Sequence, residues 1–132
     1  MRSVIISSVL LAILITAISV NAYYINSVST ELLDMIFFLP SEYNYINSLD
    51  ETETEMLKTE INKIVEKWEE NSLKISLSAK YSDYERIYSA LYSMKDHFFA
   101  GYYGDYIVSR KKLIAALEKQ KHNELPNFEN IL

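Results

Sequence analysis

The feature that most constrains this chain is the uncharged segment behind its N-terminus. After Arg2, no charged residue occurs from Ser3 to Ile25, and residues 4–20 are the most strongly apolar part. As a helix, residues 4–20 would be about 25 Å long, slightly less than the roughly 30 Å hydrocarbon core of a bilayer. Flanking residues make up the difference, and two tyrosines at 23 and 24 suit the membrane interface. The sequence therefore predicts a membrane anchor over residues 1–25, in contact with the bilayer through residues 4–24.

The same segment also fits a secretory signal. Val20, Asn21 and Ala22 place branched and small residues at the positions that a signal peptidase recognises, so cleavage after Ala22 is the alternative. The apolar run is longer than most signal cores, and no Gly or Pro breaks it before the cleavage site. Retained anchor and cleaved leader both stay open, and a cleaved chain would be a secreted helical protein.

The charges near the apolar segment predict its orientation. Arg2 is the only basic residue before Lys58, whereas seven acidic residues lie between residues 31 and 55. Basic residues are retained in the cytoplasm, so the N-terminus is expected inside and residues 26–132 outside the cell membrane. The formal net charge of −5 disfavours nucleic acid as a partner, and the lack of cysteine excludes disulfides and thiol chemistry.

The rest of the chain has the composition and periodicity of an all-α protein. With two Gly and two Pro, the chain lacks the frequent turns of a β fold. Apolar spacing predicts helices at about 29–38, 50–77, 82–99 and 105–120, packed as a small antiparallel three- or four-helix bundle over residues 26–132. The first of them either starts near Ser29 or continues the membrane helix, and Pro40 ends it. Residues 41–48 are expected to be a connection with at most a helical turn.

The helix predicted at 82–99 carries an unusually broad apolar face. Ile87, Leu91, Met94 and Phe98 form its centre, and tyrosines at 84, 88 and 92 border it. An apolar arc of about 160° predicts packing against two neighbouring helices. Helix caps are expected at four places: Asp50 or Thr52, the pair Ser82 and Glu85, Gly101, and Asp105. The last apolar residues of the chain are expected to return to the bundle; they are Phe128, Ile131 and Leu132.

Few residues are candidates for a functional site. Tyr102, Tyr103 and Tyr106 sit in a predicted turn, where phenol rings can bind a ligand or a partner or can simply pack. His97 and His122 are the only histidines, and no metal-binding, nucleophile or phosphate-binding motif surrounds them or the serines. The sequence therefore predicts no catalytic residue, no metal and no cofactor, and thus a protein that is not an enzyme.

Four segments resemble a family of short bacterial proteins. They are "STELL" at 29–33, "EKWEENSLKISL" at 66–77, "YSDYERI" at 81–87 and "FENIL" at 128–132, all following an N-terminal membrane helix. In this order they resemble a domain-of-unknown-function family of single-pass membrane proteins from spore-forming Gram-positive bacteria. The resemblance implies a membrane-anchored helical bundle and suggests a multi-pass membrane protein as partner. Tyr81 stands where the family pattern has a histidine, so a role of that histidine would not carry over.

The leading functional hypothesis is a non-catalytic interaction or accessory module for an integral membrane protein. The alternative is a ligand- or envelope-binding sensor that uses the tyrosine-rich turn at 102–106. The sequence leaves a homo-oligomer open.

Overall fold

The computed structural model describes residues 2–123, apart from the side chains of residues 21, 22, 78, 122 and 123. Within this range the chain forms five helices and no strand: α1 (Arg2–Phe37), α2 (Tyr43–Asn47), α3 (Glu51–Ser78), α4 (Tyr81–Phe99) and α5 (Tyr103–Asn123). The predicted all-α fold is confirmed. The expected return of Phe128, Ile131 and Leu132 to the bundle lies outside the described residues.

Helix α1 is continuous, so of the two alternatives left open for residues 29–38 the continuation of the N-terminal helix is the one observed, and no separate helix starts near Ser29. The hydroxyl of Thr30 donates to the carbonyl of Asn26 at 2.8 Å, inside the helix, and Ser29 is buried. A hydroxyl that bonds back to the preceding turn does not cap a new helix. The helix ends at Phe37, ahead of Pro40, which cannot donate a backbone hydrogen bond.

Four of the helices form an antiparallel bundle. The C-terminal half of α1 packs against α3 and α5, and α4 packs against the same two helices, so each helix has two neighbours. The short turns after α3 and α4 reverse the chain direction each time. The N-terminal half of α1 projects beyond the bundle with its apolar side chains exposed, and α1 is long and apolar enough to cross a membrane.

The core follows the predicted helical periodicity. Ile61, Ile64 and Trp68 of α3 are buried, as are Leu91 and Phe98 of α4. The broad apolar arc of α4 is confirmed, because this helix contacts both α3 and α5. The remaining core includes apolar side chains from every helix, among them Ile25, Leu32, Ile36, Ile46, Ile75, Ile87, Met94, Leu113 and Leu117.

Two of the expected helix caps are present and two are not. Asp50 accepts a hydrogen bond from the backbone N–H of Glu53 at 2.7 Å and caps α3. Gly101 has a φ of 82°, and two backbone bonds close a Schellman motif there, from Tyr102 to His97 and from Gly101 to Phe98.

The other two caps are wrong because α4 and α5 begin earlier than predicted. Helix α4 starts at Tyr81 behind Lys80, which makes no side-chain cap, so Ser82 already lies inside the first turn. Helix α5 starts at Tyr103, and the N–H of Tyr106 bonds to the carbonyl of Tyr102 at 2.9 Å. Asp105 is therefore an acidic residue in the first turn rather than a cap.

Candidate interaction surfaces

The predicted tyrosine surface divides into three different environments. Tyr102 is 62% exposed in the turn between α4 and α5. Tyr103 is half-buried and packs on Phe98, with ring centroids 5.4 Å apart. Tyr106 is completely buried. Of the two roles left open for Tyr106, packing is therefore the one observed, so this residue cannot belong to an exposed surface. Among the three tyrosines, only Tyr102 has a largely free ring.

Tyr106 instead fastens the end of α1 to α5. Its hydroxyl donates to the carbonyl of Pro40 at 2.9 Å, and its ring packs edge-on against Phe98 at 5.1 Å. One turn further along α5, the guanidinium of Arg110 donates to the carbonyl of Ile36 at 3.3 Å. Burial raises the pKa of the Tyr106 phenol well above its ordinary value. Tyr106 and Arg110 thus donate to carbonyls at and just beyond the end of α1, and the carbonyl of Ile36 also accepts from the backbone N–H of Leu39 at 3.0 Å.

The tyrosines along α4 border the core, as the sequence predicted. Trp68, Tyr84, Tyr88 and Tyr92 form a continuous row of rings, with successive centroids 5.3, 6.3 and 4.7 Å apart. The hydroxyl of Tyr92 donates to Glu69 at 2.7 Å. Burial, followed by this contact with Glu69, raises the pKa of Tyr92 to about 12. The row joins α4 to α3 and leaves only Tyr88 substantially exposed.

A groove of about 510 Å³ lies at the end of the bundle farthest from the apolar half of α1, and we call it the distal groove. Its apolar side chains come from the end of α1, the connection through α2 and the start of α3. Phe38 is 90% exposed and Met56 is 64% exposed. The full lining consists of Phe38, Pro40, Tyr45, Leu49, Glu53, Met56, Leu57, Thr59 and Glu60.

The sequence pattern alone does not single out the distal groove. Its three contributing segments are brought together only by the turns around α2. One signal is present in the sequence: Phe38 is a large apolar residue placed after the last helical turn and before a proline. A side chain in that position has no helical face to join.

The surroundings of the distal groove are acidic. Glu53 and Glu60 line it directly, and Glu42, Asp50 and Glu51 lie on the segments that build it. The basic side chains of this part of α3 are paired, Lys58 with Glu55 and Lys63 with Glu60, each at 3.1 Å. An apolar centre with an acidic rim favours an apolar ligand that carries positive charge.

A second, polar groove of about 750 Å³ runs between α4 and α5. It is lined by small side chains such as Ser89, Ala90 and Ala116 and by charges of both signs, including Arg86 and Asp105. His97 lines the groove, and the side chain of His122 lies outside the described residues. Among residues 2–123, no three His, Cys, Asp or Glu side chains are grouped so that they could hold a metal ion.

Together these features define the class: an all-α protein whose four-helix bundle is continuous with an apolar N-terminal helix. No family model matches the chain, and no curated protein and no solved structure matches it.

Proposed function

We propose that this protein is a membrane-anchored, non-catalytic interaction module whose distal groove binds a basic, amphipathic segment of an integral membrane protein. The bundle stands outside the cell membrane, with the N-terminus of α1 in the cytoplasm. The observation that carries the proposal is the distal groove, which combines exposed apolar side chains with an acidic rim.

The apolar part of the distal groove supplies the binding energy. Interfaces gain affinity chiefly by covering aromatic and Met side chains that water would otherwise contact. Phe38, Tyr45 and Met56 are all more than half exposed, although they stand together around one groove. A helix that laid an apolar stripe between them would cover all three.

The charge of the rim selects the partner. Glu53 contributes an exposed carboxylate to the lining, and no basic residue precedes Lys58 in the segments that build the groove. A segment with Lys or Arg beside its apolar stripe would therefore be attracted, and an acidic one repelled.

Helix α1 fixes the height of the distal groove above the membrane. From Val20, where the strongly apolar run ends, to Phe37 the helix rises about 25 Å without a break. No flexible linker separates anchor and bundle in this range. The matching segment of the partner should therefore stand at about the same height above the bilayer, which suits a membrane protein with an extramembrane helix or loop.

The test uses full-length protein in nanodiscs of neutral lipid, with empty nanodiscs as blank. The probes are an amphipathic Lys/Leu peptide and the same peptide with Glu in place of Lys. We expect the Lys/Leu peptide to bind and the Glu/Leu peptide to bind at least about tenfold more weakly. The double variant Phe38→Ser/Met56→Ser should lose binding. Tyr102→Ser, which alters an exposed ring in the turn after α4, should retain it.

The same variants identify the natural partner. Crosslinking in cells followed by purification should recover one integral membrane protein with wild type and Tyr102→Ser but not with the groove variant. Loss of the partner with Tyr102→Ser alone would assign binding to the tyrosine turn and refute the groove. Intact mass of the membrane fraction tests the anchor, because a mature form beginning at Tyr23 would show cleavage after Ala22.

A further inference from the structure

The end of the bundle nearest the apolar half of α1 also carries an exposed apolar surface, which we call the proximal face. It consists of Tyr23 on α1, Leu73 and Leu77 on α3 and Tyr81 at the start of α4. Each of these side chains is between 72% and 79% exposed. None of them contributes to the core or to the distal groove.

The outward face of α3 changes character as it approaches this end. Glu66, Glu70, Leu73 and Leu77 follow one another at spacings of four, three and four residues, so they share one face of the helix. All four are exposed. The face is therefore acidic in the middle of α3 and apolar over its last two turns. Exposing Leu73 and Leu77 to water at the end of the helix is unfavourable.

Contacts between α1 and α3 show how near the proximal face comes to the apolar segment. Tyr24 hydrogen-bonds to Asn71, and Lys67 pairs with Glu31. The two helices are antiparallel, so a step forward along α3 corresponds to a step back along α1. Leu77 lies six residues beyond Asn71, which places it level with about residue 18 of α1 by the Tyr24 contact. It lies ten residues beyond Lys67, which places it level with about residue 21 by the Glu31 contact. Both positions fall in the last turn of the apolar run or one residue past it.

Several lysines lie at the same end of the bundle as the proximal face. Lys74 lies over the ring of Tyr24, with its ammonium 5.2 Å from the ring centroid, and Lys80 precedes α4. At the end of α5, Lys119 contacts Asp83 at 3.7 Å and the backbone of Lys121 accepts a hydrogen bond from Asn26. Glu85, one turn along α4, contacts the hydroxyl of Tyr81, so the charges at this end are mixed. Exposed aromatic and leucine side chains with lysines nearby are typical of surfaces that lie in a lipid headgroup region.

We infer that the proximal face is a membrane-contact surface, with Leu73, Leu77 and Tyr81 inserted at the boundary between lipid headgroups and acyl chains. The inference rests on the anchoring of α1 in the proposed function. It adds a second point of attachment, so that the bundle is seated on the bilayer rather than held above it on a single helix. Seating would fix the tilt and rotation of the bundle and thereby the direction in which the distal groove faces.

The experiment measures membrane depth along one face of α3. Because the chain contains no cysteine, a single spin label can be placed by Leu77→Cys, Leu73→Cys, Glu70→Cys or Glu66→Cys in the full-length protein. Nanodiscs containing one copy each exclude a second copy as cover. Accessibility to oxygen and to a water-soluble nickel complex gives the depth. Ile13→Cys, within the apolar run, is the control for insertion of α1, and Met56→Cys is the aqueous control.

We expect the label at residue 77 to lie at the acyl boundary and the label at residue 66 to lie about 16 Å farther out, in water. A label at residue 77 as accessible to nickel as the one at residue 56, with residue 13 buried in lipid, would overturn the inference and leave the anchor intact. Water exposure at residues 13 and 77 together would refute the anchor of the proposed function and the proximal contact with it.

Discussion

Replacement of Tyr106 by Phe is the sharpest test of whether this side chain fastens α1 to α5. The substitution removes the hydroxyl that donates to Pro40 at 2.9 Å and keeps the ring that packs on Phe98. A hydrogen bond of this kind contributes about 0.5–1.5 kcal/mol, and a carbonyl left without a donor adds to the loss. Because Pro40 is only half-buried, water can reach part of that carbonyl. We expect the free energy of unfolding to fall by about 1–2 kcal/mol.

The dependence of stability on alkaline pH provides a second, independent test of this prediction. Burial raises the pKa of Tyr106 in the folded state above the ordinary value of 10.0. Its contribution to stability is therefore fully present below pH 10 and is lost as the pH rises from there towards the folded-state pKa. Over that interval the loss is about 1.4 kcal/mol per pH unit for wild type. The Tyr106→Phe variant has no phenol proton to lose at this position, so the two stabilities should become equal near about pH 11.

Trp68 provides the measurement. It is the only tryptophan, and it is buried against Tyr84, so its emission should shift to the red when the bundle unfolds in urea. Full-length wild type and Tyr106→Phe are compared in a non-ionic detergent at about pH 7 and from about pH 9 to 11.5, a range that brackets the ordinary phenol pKa. Tyr102→Phe is the matched control and should leave stability unchanged. Equal stability of Tyr106→Phe and wild type at neutral pH would refute the hydrogen bond to Pro40. A difference that stays constant above about pH 10 would refute the burial of the phenol.

Two further predictions concern helix ends and use the same unfolding measurement. Asp50→Ala should lower the free energy of unfolding by about 1 kcal/mol, because the carboxylate accepts a hydrogen bond from the N–H of Glu53. The control Glu51→Ala should change it by no more than a few tenths of a kcal/mol, and equal effects of the two substitutions would refute the cap. Gly101→Ala should lower the free energy of unfolding by about 1–2 kcal/mol, because its φ of +82° is unfavourable for a residue with a side chain. Gly104→Ala, inside α5 with open space around it, should instead raise it by up to about 1 kcal/mol. A change of the same sign for both would contradict the left-handed turn.

The helices could be predicted because their signal is local. The spacing of Ile61, Ile64 and Trp68 places them on one face whatever packs against it, and the structure buries all three. The capping of α3 by Asp50 is equally local. Near residue 29 the local signal is ambiguous, since a Ser or Thr hydroxyl can cap a new helix or bond back to the turn before it. Packing of α1 into the bundle, which the sequence does not display, decides between the two.

The candidate surfaces were harder to predict because they depend on contacts between distant residues. Tyr106 is buried, and its hydroxyl donates to the carbonyl of Pro40, 66 positions away in the sequence. Nothing in the residues adjacent to it in the sequence distinguishes it from the exposed Tyr102. The distal groove needs Phe38, Tyr45 and Met56 to converge. The proximal leucines did leave a trace, since Leu73 and Leu77 are four residues apart and lie off the stripe that contains Ile75.

The two ends of the bundle differ in charge, and the difference bears on both topology and function. Membrane insertion acts on the unfolded chain, in which Arg2 precedes the apolar segment. All charged residues between the apolar segment and Lys58 are acidic. Folding then returns Lys74 and Lys80 to the end of the bundle nearest the apolar half of α1, because α3 runs antiparallel to α1. Under the proposed topology, the chain would direct its bundle outward during insertion and still place these lysines beside lipid headgroups once folded. Under the proposed topology the acidic distal groove faces away from the bilayer, and the lysines beside it, Lys58 and Lys63, are paired with Glu55 and Glu60.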